Sequence, residues 1–172
     1  YLKCSFKMIN KYNFDFSAKT RPFSHQVEAI NYIQSHQSVA LFDEQGLGKT
    51  KIVIEAICNN LQEGLIDGCL VICRKTLIQN WRDEIETHTY LKSITLRGSP
   101  KEKGINFMGY ANFYLINYES VIGELERLKM FLKIRKFAIV LDESHAIKNP
   151  DAATTKAVLG LSPLSIKRII IS

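Results

Sequence analysis

One short stretch in the first third of this 172-residue chain constrains its fold more than any other. The apolar run at residues 39–42 passes through Asp43-Glu44-Gln45-Gly46-Leu47-Gly48 directly into a segment, 49–61, whose apolar positions Ile52, Val53, Ala56 and Ile57 suit a well-buried helix. A strand handed to a buried helix by a turn with glycines at 46 and 48 is a strand–loop–helix unit. Such units build parallel sheets covered by helices. The glycines also let successive backbone N–H groups converge at the helix N-terminus, where the dipole favours an anion. Lys49 and Thr50 follow at once, an ammonium within reach of β- and γ-phosphates and a hydroxyl suited to Mg²⁺. The stretch therefore predicts a phosphate-binding loop at Gly46, Leu47, Gly48, Lys49 and Thr50, against the simpler reading of a Gly-rich turn that caps an ordinary helix. One departure stands out: G-x-x-x-x-G-K-[ST] has Gly where this chain has Asp43.

Five further β-branched apolar runs, at 70–73, 94–96, 114–117, 138–141 and 168–171, read as strands, and most are continuously apolar, as strands buried on both faces are. Between them Leu77, Trp81 and Ile85 share one helical face, and Val121, Leu125, Leu128 and Leu132 share another. Alternating strands and helices predict a mainly parallel sheet in one domain. Residues 97–104, with Gly98, Pro100 and four charges, read as an exposed loop, and residues 1–20 as a lead-in that packs on the domain. The longest apolar runs are far too short to span a bilayer, so no membrane partner is expected. A net charge of +6 is enough to favour a polyanionic partner yet lies well within what solubility alone tolerates. Cys4, Cys58, Cys69 and Cys73 form no C-x-x-C pair and read as buried, reduced thiols, which suits a cytosolic or nuclear setting. The absence of an initiator Met makes Tyr1 read as a fragment boundary.

After the run at 137–141 comes Asp142-Glu143-Ser144-His145, two carboxylates at the end of a buried strand. In open α/β sheets that carboxyl edge is where ligands bind. Asp142 is suited to face Mg²⁺ and Glu143 to orient the water that attacks a γ-phosphate. His145 either couples phosphate loss to a neighbouring segment or is a structural histidine.

With these motifs in place, the chain resembles the first RecA-like lobe of a helicase-superfamily-two ATPase of the Swi/Snf type. Asp43-Glu44-Gln45-Gly46-Leu47-Gly48-Lys49-Thr50 is similar to that family's D-E-x-G-L-G-K-T loop, Asp included, and Asp142-Glu143-Ser144-His145-Ala146-Ile147-Lys148-Asn149 to its D-E-x-H-x-[IL]-K-N box. Arg21-Pro22-Phe23-Ser24-His25-Gln26 resembles the R-P-[YF]-Q entry with two residues inserted, which implies that Gln26 reads the adenine edge. The segment Cys73-Arg74-Lys75-Thr76-Leu77-Ile78-Gln79-Asn80-Trp81 is similar to C-P-[KS]-[ST]-L-[LI]-x-[NQ]-W, with Arg74 at the usual Pro. This implies that Lys75 and Thr76 lie against a DNA backbone, with Trp81 left to helix packing. Ile116-Asn117-Tyr118-Glu119 resembles a second backbone-contacting loop, with Asn117 at the usual Thr or Ser.

The resemblance implies a RecA-like P-loop NTPase three-layer sandwich over residues 21–172, ending at the first residue of the family's [ST]-G-T-[PA] motif. It implies Lys49, Asp142, Glu143 and His145 as catalytic residues, Thr50 and Asp142 at Mg²⁺, ATP as the nucleotide, and double-stranded DNA and a second RecA-like lobe as partners. High Ile, Lys and Asn content points to an AT-rich genome, bacterial or phage, and so to a cytoplasmic setting, or a nuclear one if the source is eukaryotic. The alternatives are a strand-separating DNA or RNA helicase, a restriction-type translocase subunit, a nucleotide-dependent switch, and a scaffold that has lost the chemistry. The switch lacks an N-K-x-D guanine reader, and the scaffold sits badly with intact Lys49, Thr50, Asp142 and Glu143.

Overall fold

The computed structural model describes residues 15–42, 48–147, 149 and 151–172, with the side chains of 145 and 146 excepted. Among these residues six strands form one sheet: β1 (Ser38–Leu41), β2 (Gly68–Cys73), β3 (Ser93–Thr95), β4 (Phe113–Asn117), β5 (Phe137–Asp142) and β6 (Lys167–Ile171). Every pairing is parallel, and the order across the sheet is β1-β6-β5-β2-β4-β3. Each strand expected from the sequence is present, within two residues at either end.

The helices are α1 (Ser24–Ser35), α2 (Lys49–Gln62), α3 (Ile78–His88), α4 (Pro100–Met108), α5 (Tyr118–Ile134) and α6 (Ala153–Leu161). They cover both sheet faces. Helices α1, α2 and α3 bury Ile33, Ile54, Ile57, Trp81 and Ile85 against Val71, Leu115 and Val140. Helices α5 and α6 bury Val121, Leu128, Leu132 and Leu161 against Leu70, Ile72, Tyr114 and Ile139. Alternate residues of one strand thus feed opposite cores, as the strand period of two requires, and the result is a three-layer α/β sandwich. Buried Leu, Ile and Phe side chains at roughly 1.5–3 kcal/mol each make these two layers the main source of stability.

One expectation is corrected. Residues 97–104 are not an open loop, because Pro100 starts α4. Ser99 is its N-cap, accepting from the Glu102 N–H at 3.4 Å, while the Glu102 carboxylate accepts from the Ser99 N–H at 2.6 Å. Ser-Pro-x-Glu is a capping box with proline in the first turn, a helix-start signal that the local Gly and charge content obscured.

Of the lead-in, residues 15–20 dock on the end of α3. Ala18 bridges Thr89, the Lys19 N–H donates to the His88 carbonyl at 2.8 Å, and Lys19 Nζ reaches the Glu86 carbonyl at 2.7 Å. Residues 1–14, including Cys4, lie outside the described residues. Cys58, Cys69 and Cys73 are free and buried, and burial pushes the Cys58 and Cys73 thiols up to about 12. Among the described residues no helix is long and apolar enough to cross a membrane, and no cluster of His, Cys, Asp and Glu forms a metal cage.

Candidate nucleotide and nucleic-acid site

In an all-parallel sheet every strand ends on the same edge, and this topology gathers the motifs. Registers align Leu41 with Ile171 and Ile171 with Asp142, so the ends of β1, β6 and β5 lie side by side. The C-terminal end of β1 therefore stands on the same edge as Asp142 and Glu143 at the end of β5, with β6 between them.

On the loop side, Asp43–Leu47, and with them Gly46 and Leu47, lie outside the described residues. Gly48 is the N-cap of α2 at φ 71°, a left-handed conformation that only glycine adopts without strain. A Cβ built there would stand 2.8 Å from Gln26 Nε2. The loop backbone and Gln26 are thus in direct apposition, although 22 positions of sequence separate them. Gln26 is buried, and its Oε1 accepts from the Phe23 N–H at 3.0 Å. The turn that presents it is held by Lys51, in the first turn of α2, whose ammonium donates to the Arg21 carbonyl at 2.9 Å and lies 5.4 Å from the Phe23 ring centroid. Lys49 and Thr50 open the same turn, and Lys49 Nζ donates to the Ser172 carbonyl at 3.1 Å, at the end of β6.

On the acid side, Asp142 is the last residue of β5 and is buried. Burial lifts its carboxyl above the ordinary range and the Glu143 charge adds to this, while the Trp81 indole N–H, the Glu143 backbone N–H and the Lys49 charge pull it down. The influence of Lys49 on Asp142 is the electrostatic expression of the two motifs facing one edge. Glu143 has φ 55°, the one positive-φ non-glycine among the described residues. Such strain, about 1–3 kcal/mol, persists where the surrounding structure imposes it and is concentrated at functional sites. His145 falls in the 3-10 turn Ser144–Ile147, its side chain outside the described set, and Lys148 is likewise outside. Asn149 closes the following turn by accepting from the Asp151 N–H at 3.0 Å.

Two residues that sequence reasoning missed hold Asp142 in place. Trp81, fully buried on α3, donates its indole N–H to Asp142 Oδ2 at 2.8 Å, so its role exceeds the helix packing expected of it. Tyr118, at the start of α5, donates its hydroxyl to the Asp142 main-chain carbonyl at 2.9 Å. Buried tryptophans and tyrosines generally pair their polar tip, which is the one signal the sequence offered, and it does not name the partner.

Farther along the same edge β2 and β4 end side by side, Cys73 opposite Asn117. The 3-10 turn Lys75–Leu77 follows β2, and there Lys75 and Thr76 are exposed. Arg74, Lys75, Thr76, Tyr118 and Glu119 line a cleft of ≈ 430 Å³. Asn117 caps α5, donating to Glu119 Oε2 at 2.6 Å and accepting from Ser120 Oγ at 2.9 Å. The Asn117 amide, first, and then the Glu119 N–H and the charges of Lys75 and Arg74 hold the Glu119 carboxyl below its usual range. Arg74, noted from sequence only as a departure from Pro, adds a third exposed donor side chain to this cleft.

The residues fit a magnesium nucleotide. A bare glycine backbone beside a lysine and a hydroxyl at a helix N-terminus suits phosphate, and a buried carboxylate at a strand end suits a nearby cation.

Comparisons agree with this fold. The chain matches the model of the SNF2-related domain over residues 25–172. It is 28% identical to the mouse DNA excision repair protein ERCC-6-like 2, over 87% of this chain and 11% of that protein. It is 29% identical to human DNA repair and recombination protein RAD54B, over 77% of this chain and 15% of that protein. An uncharacterized ATP-dependent helicase of Mycoplasma pneumoniae is also 29% identical, over 78% of this chain and 13% of that protein. The chain thus spans only about a tenth to a seventh of the length of these relatives. The Sulfolobus solfataricus SWI2/SNF2 ATPase core in complex with dsDNA has the same fold, with a TM-score of 0.76 at 23% identity over 91% of this chain and 32% of that one. A family match that covers most of the sequence, in a fold shared with that ATPase core, places this chain in the SNF2-related domain family.

Proposed function

We propose that this chain is the first RecA-like lobe of an ATP-driven double-stranded-DNA translocase. The observation that carries this reading is the single sheet edge on which Lys49, Asp142 and Glu143 stand together, with Lys75, Thr76 and Asn117 farther along it. In this reading Gly46, Leu47, Gly48, Lys49 and Thr50 cradle the phosphates of ATP, and Gln26 meets the adenine edge. Lys49 balances charge that builds on the γ-phosphoryl group, and Glu143 orients the attacking water. Thr50 and Asp142 hold Mg²⁺, which when bound supplies charge neutralisation on the phosphates. His145 relays loss of the γ-phosphate toward the end of β6. Lys75, Thr76 and Asn117 contact the DNA backbone, so duplex is recognised by its phosphates rather than by its base sequence. The printed descriptions of the relatives, a DNA repair protein among them, and of the duplex-bound ATPase core support DNA as the track.

The chain's small share of its relatives' length supports a second lobe in the whole protein, and in this reading that lobe supplies the arginines that stabilise the transition state. Such arginines are worth about 10³–10⁵ in rate. The 172 residues alone are accordingly expected to bind ATP weakly and to turn it over poorly. The work belongs wherever the DNA is, the nucleoid or the nucleus.

The test uses the full-length protein. Duplex-stimulated ATP hydrolysis together with displacement of a triplex-forming strand supports duplex translocation. Unwinding of a forked duplex without triplex displacement favours the strand-separating alternative instead. Hydrolysis stimulated by RNA alone contradicts the reading.

A further inference from the structure

We propose that Trp81 and Tyr118 are positioning residues that couple engagement of the two duplex-facing loops to the placement of Asp142 and Glu143. The proposal rests on the reading of the site given above and adds to it a route by which DNA and nucleotide sense each other.

Two loops converge on one residue. Trp81 lies on α3, which begins directly after the turn that carries Lys75 and Thr76, and Tyr118 follows Asn117 with no residue between them. The two loops thus each send one buried hydrogen-bond donor inward, and both donors arrive at a single residue. The Trp81 indole takes the Asp142 carboxylate at 2.8 Å, and the Tyr118 hydroxyl takes the Asp142 carbonyl at 2.9 Å. The second bond has a particular consequence, because that carbonyl belongs to the peptide linking Asp142 to Glu143. Tyr118 therefore fixes the plane from which Glu143 departs at φ 55°. A Glu143 held against its own backbone preference needs such an external hold.

Tyr118 also reaches the other way. Although only 3% exposed, it lines the cleft shared by Arg74, Lys75, Thr76 and Glu119. One side chain thus borders the surface assigned to the DNA backbone while its hydroxyl secures the acid pair. The route between is close-packed: Trp81 is 0% exposed and sits in the core with Cys73, Val71 and Val140. Dense interiors transmit displacement rather than absorbing it. A phosphate backbone drawn against Lys75, Thr76 and Asn117 sets the starts of α3 and α5, and so sets Asp142 and Glu143. Linkage makes the effect reciprocal: nucleotide bound at the acid pair must tighten duplex binding by the factor by which duplex tightens nucleotide binding.

The decisive variant is Tyr118→Phe in the full-length protein, because it deletes one hydroxyl and leaves the ring; Trp81→Phe is its companion. Two quantities are read. The first, a binding measurement, is the ratio of duplex dissociation constants without and with Mg²⁺ and a non-hydrolysable ATP analogue. The second is the ratio of hydrolysis rates with and without saturating duplex. In Tyr118→Phe each ratio falls by about fivefold or more, the scale of a typical allosteric coupling, while nucleotide-free duplex affinity stays within about twofold of wild type. Glu126→Gln, which removes only an exposed ion pair with Lys129 farther along the same helix, leaves the Tyr118 bond intact and should keep both ratios.

The coupling is overturned if Tyr118→Phe, with a wild-type melting temperature, keeps both ratios. It is equally overturned if the variant slows basal and duplex-stimulated hydrolysis by one common factor, since the bond then supports Asp142 without linking it to DNA. A wild-type protein that is neither bound nor stimulated by duplex is a different failure, which removes the reading of the site itself.

Discussion

Glu143 and Gly48 share the left-handed backbone region and need it for opposite reasons. Gly48 occupies it without strain, and the missing Cβ leaves room for Gln26 Nε2. Gly48→Ala adds about 1–2 kcal/mol of backbone strain and pushes on Gln26. Nucleotide affinity is expected to fall by about tenfold, equivalent to about 1.4 kcal/mol, in a titration with a fluorescent ATP analogue; unchanged affinity contradicts the apposition. Glu143 adopts the same region at a cost. Glu143→Gly relieves that strain while deleting the carboxylate, so the melting temperature should match or exceed wild type while turnover falls by about 10²–10⁴, the usual worth of a general base. A variant that melts well below wild type argues against the strain. At this scale the sequence was legible for placement where a residue stands at an element's end, as with Lys49 opening α2 and Asp142 closing β5. It was silent on Trp81 and Tyr118, whose partner Asp142 lies 61 and 24 positions away. Donor and acceptor meet there only because the sheet brings them together.

At the scale of elements, α1 ends with no basic residue in its last turn. Its final carbonyls are met instead from β6, where Lys167 donates to the carbonyls of Ile33, of Gln34 at 3.1 Å and of His36 at 2.8 Å. Burial lowers the pKa of this lysine, and the three acceptors compensate for its desolvation. Lys167→Met keeps the apolar stem and orphans these carbonyls. Denaturant unfolding should show a loss of about 1.5–3 kcal/mol, the scale of a charged hydrogen bond, with hydrogen exchange fastest at the end of α1. A loss below about 0.5 kcal/mol, the range of an ordinary surface substitution, contradicts this cap. The strands could be read in advance because buried parallel strands are continuously apolar and β-branched. Helix α4 was hidden because its exposed sides lack a clean apolar period, leaving only the Ser99–Glu102 box to announce it.

For the whole molecule, what could not be read was the order of the strands. Apolar runs say that strands exist, yet they do not say that β6 inserts between β1 and β5 or that β2 stands beside β4. That order, set by which crossovers pack, decides that the ends of β1 and β6, where Lys49 reaches the Ser172 carbonyl, lie beside Asp142, and that the turns after β2 and β4 share a cleft. The expectation that the two motifs meet rested on their complementary chemistry, and no residue pattern gave the strand order that brings their elements together. The most direct test compares Lys49→Ala and Glu143→Gln in the full-length protein, measuring ATP binding and duplex-stimulated hydrolysis for each. Glu143→Gln is predicted to bind ATP within about threefold of wild type and to lose turnover by about 10²–10⁴, while Lys49→Ala loses both. Sustained hydrolysis in either variant would contradict the claim that one triphosphate is held between the two motifs.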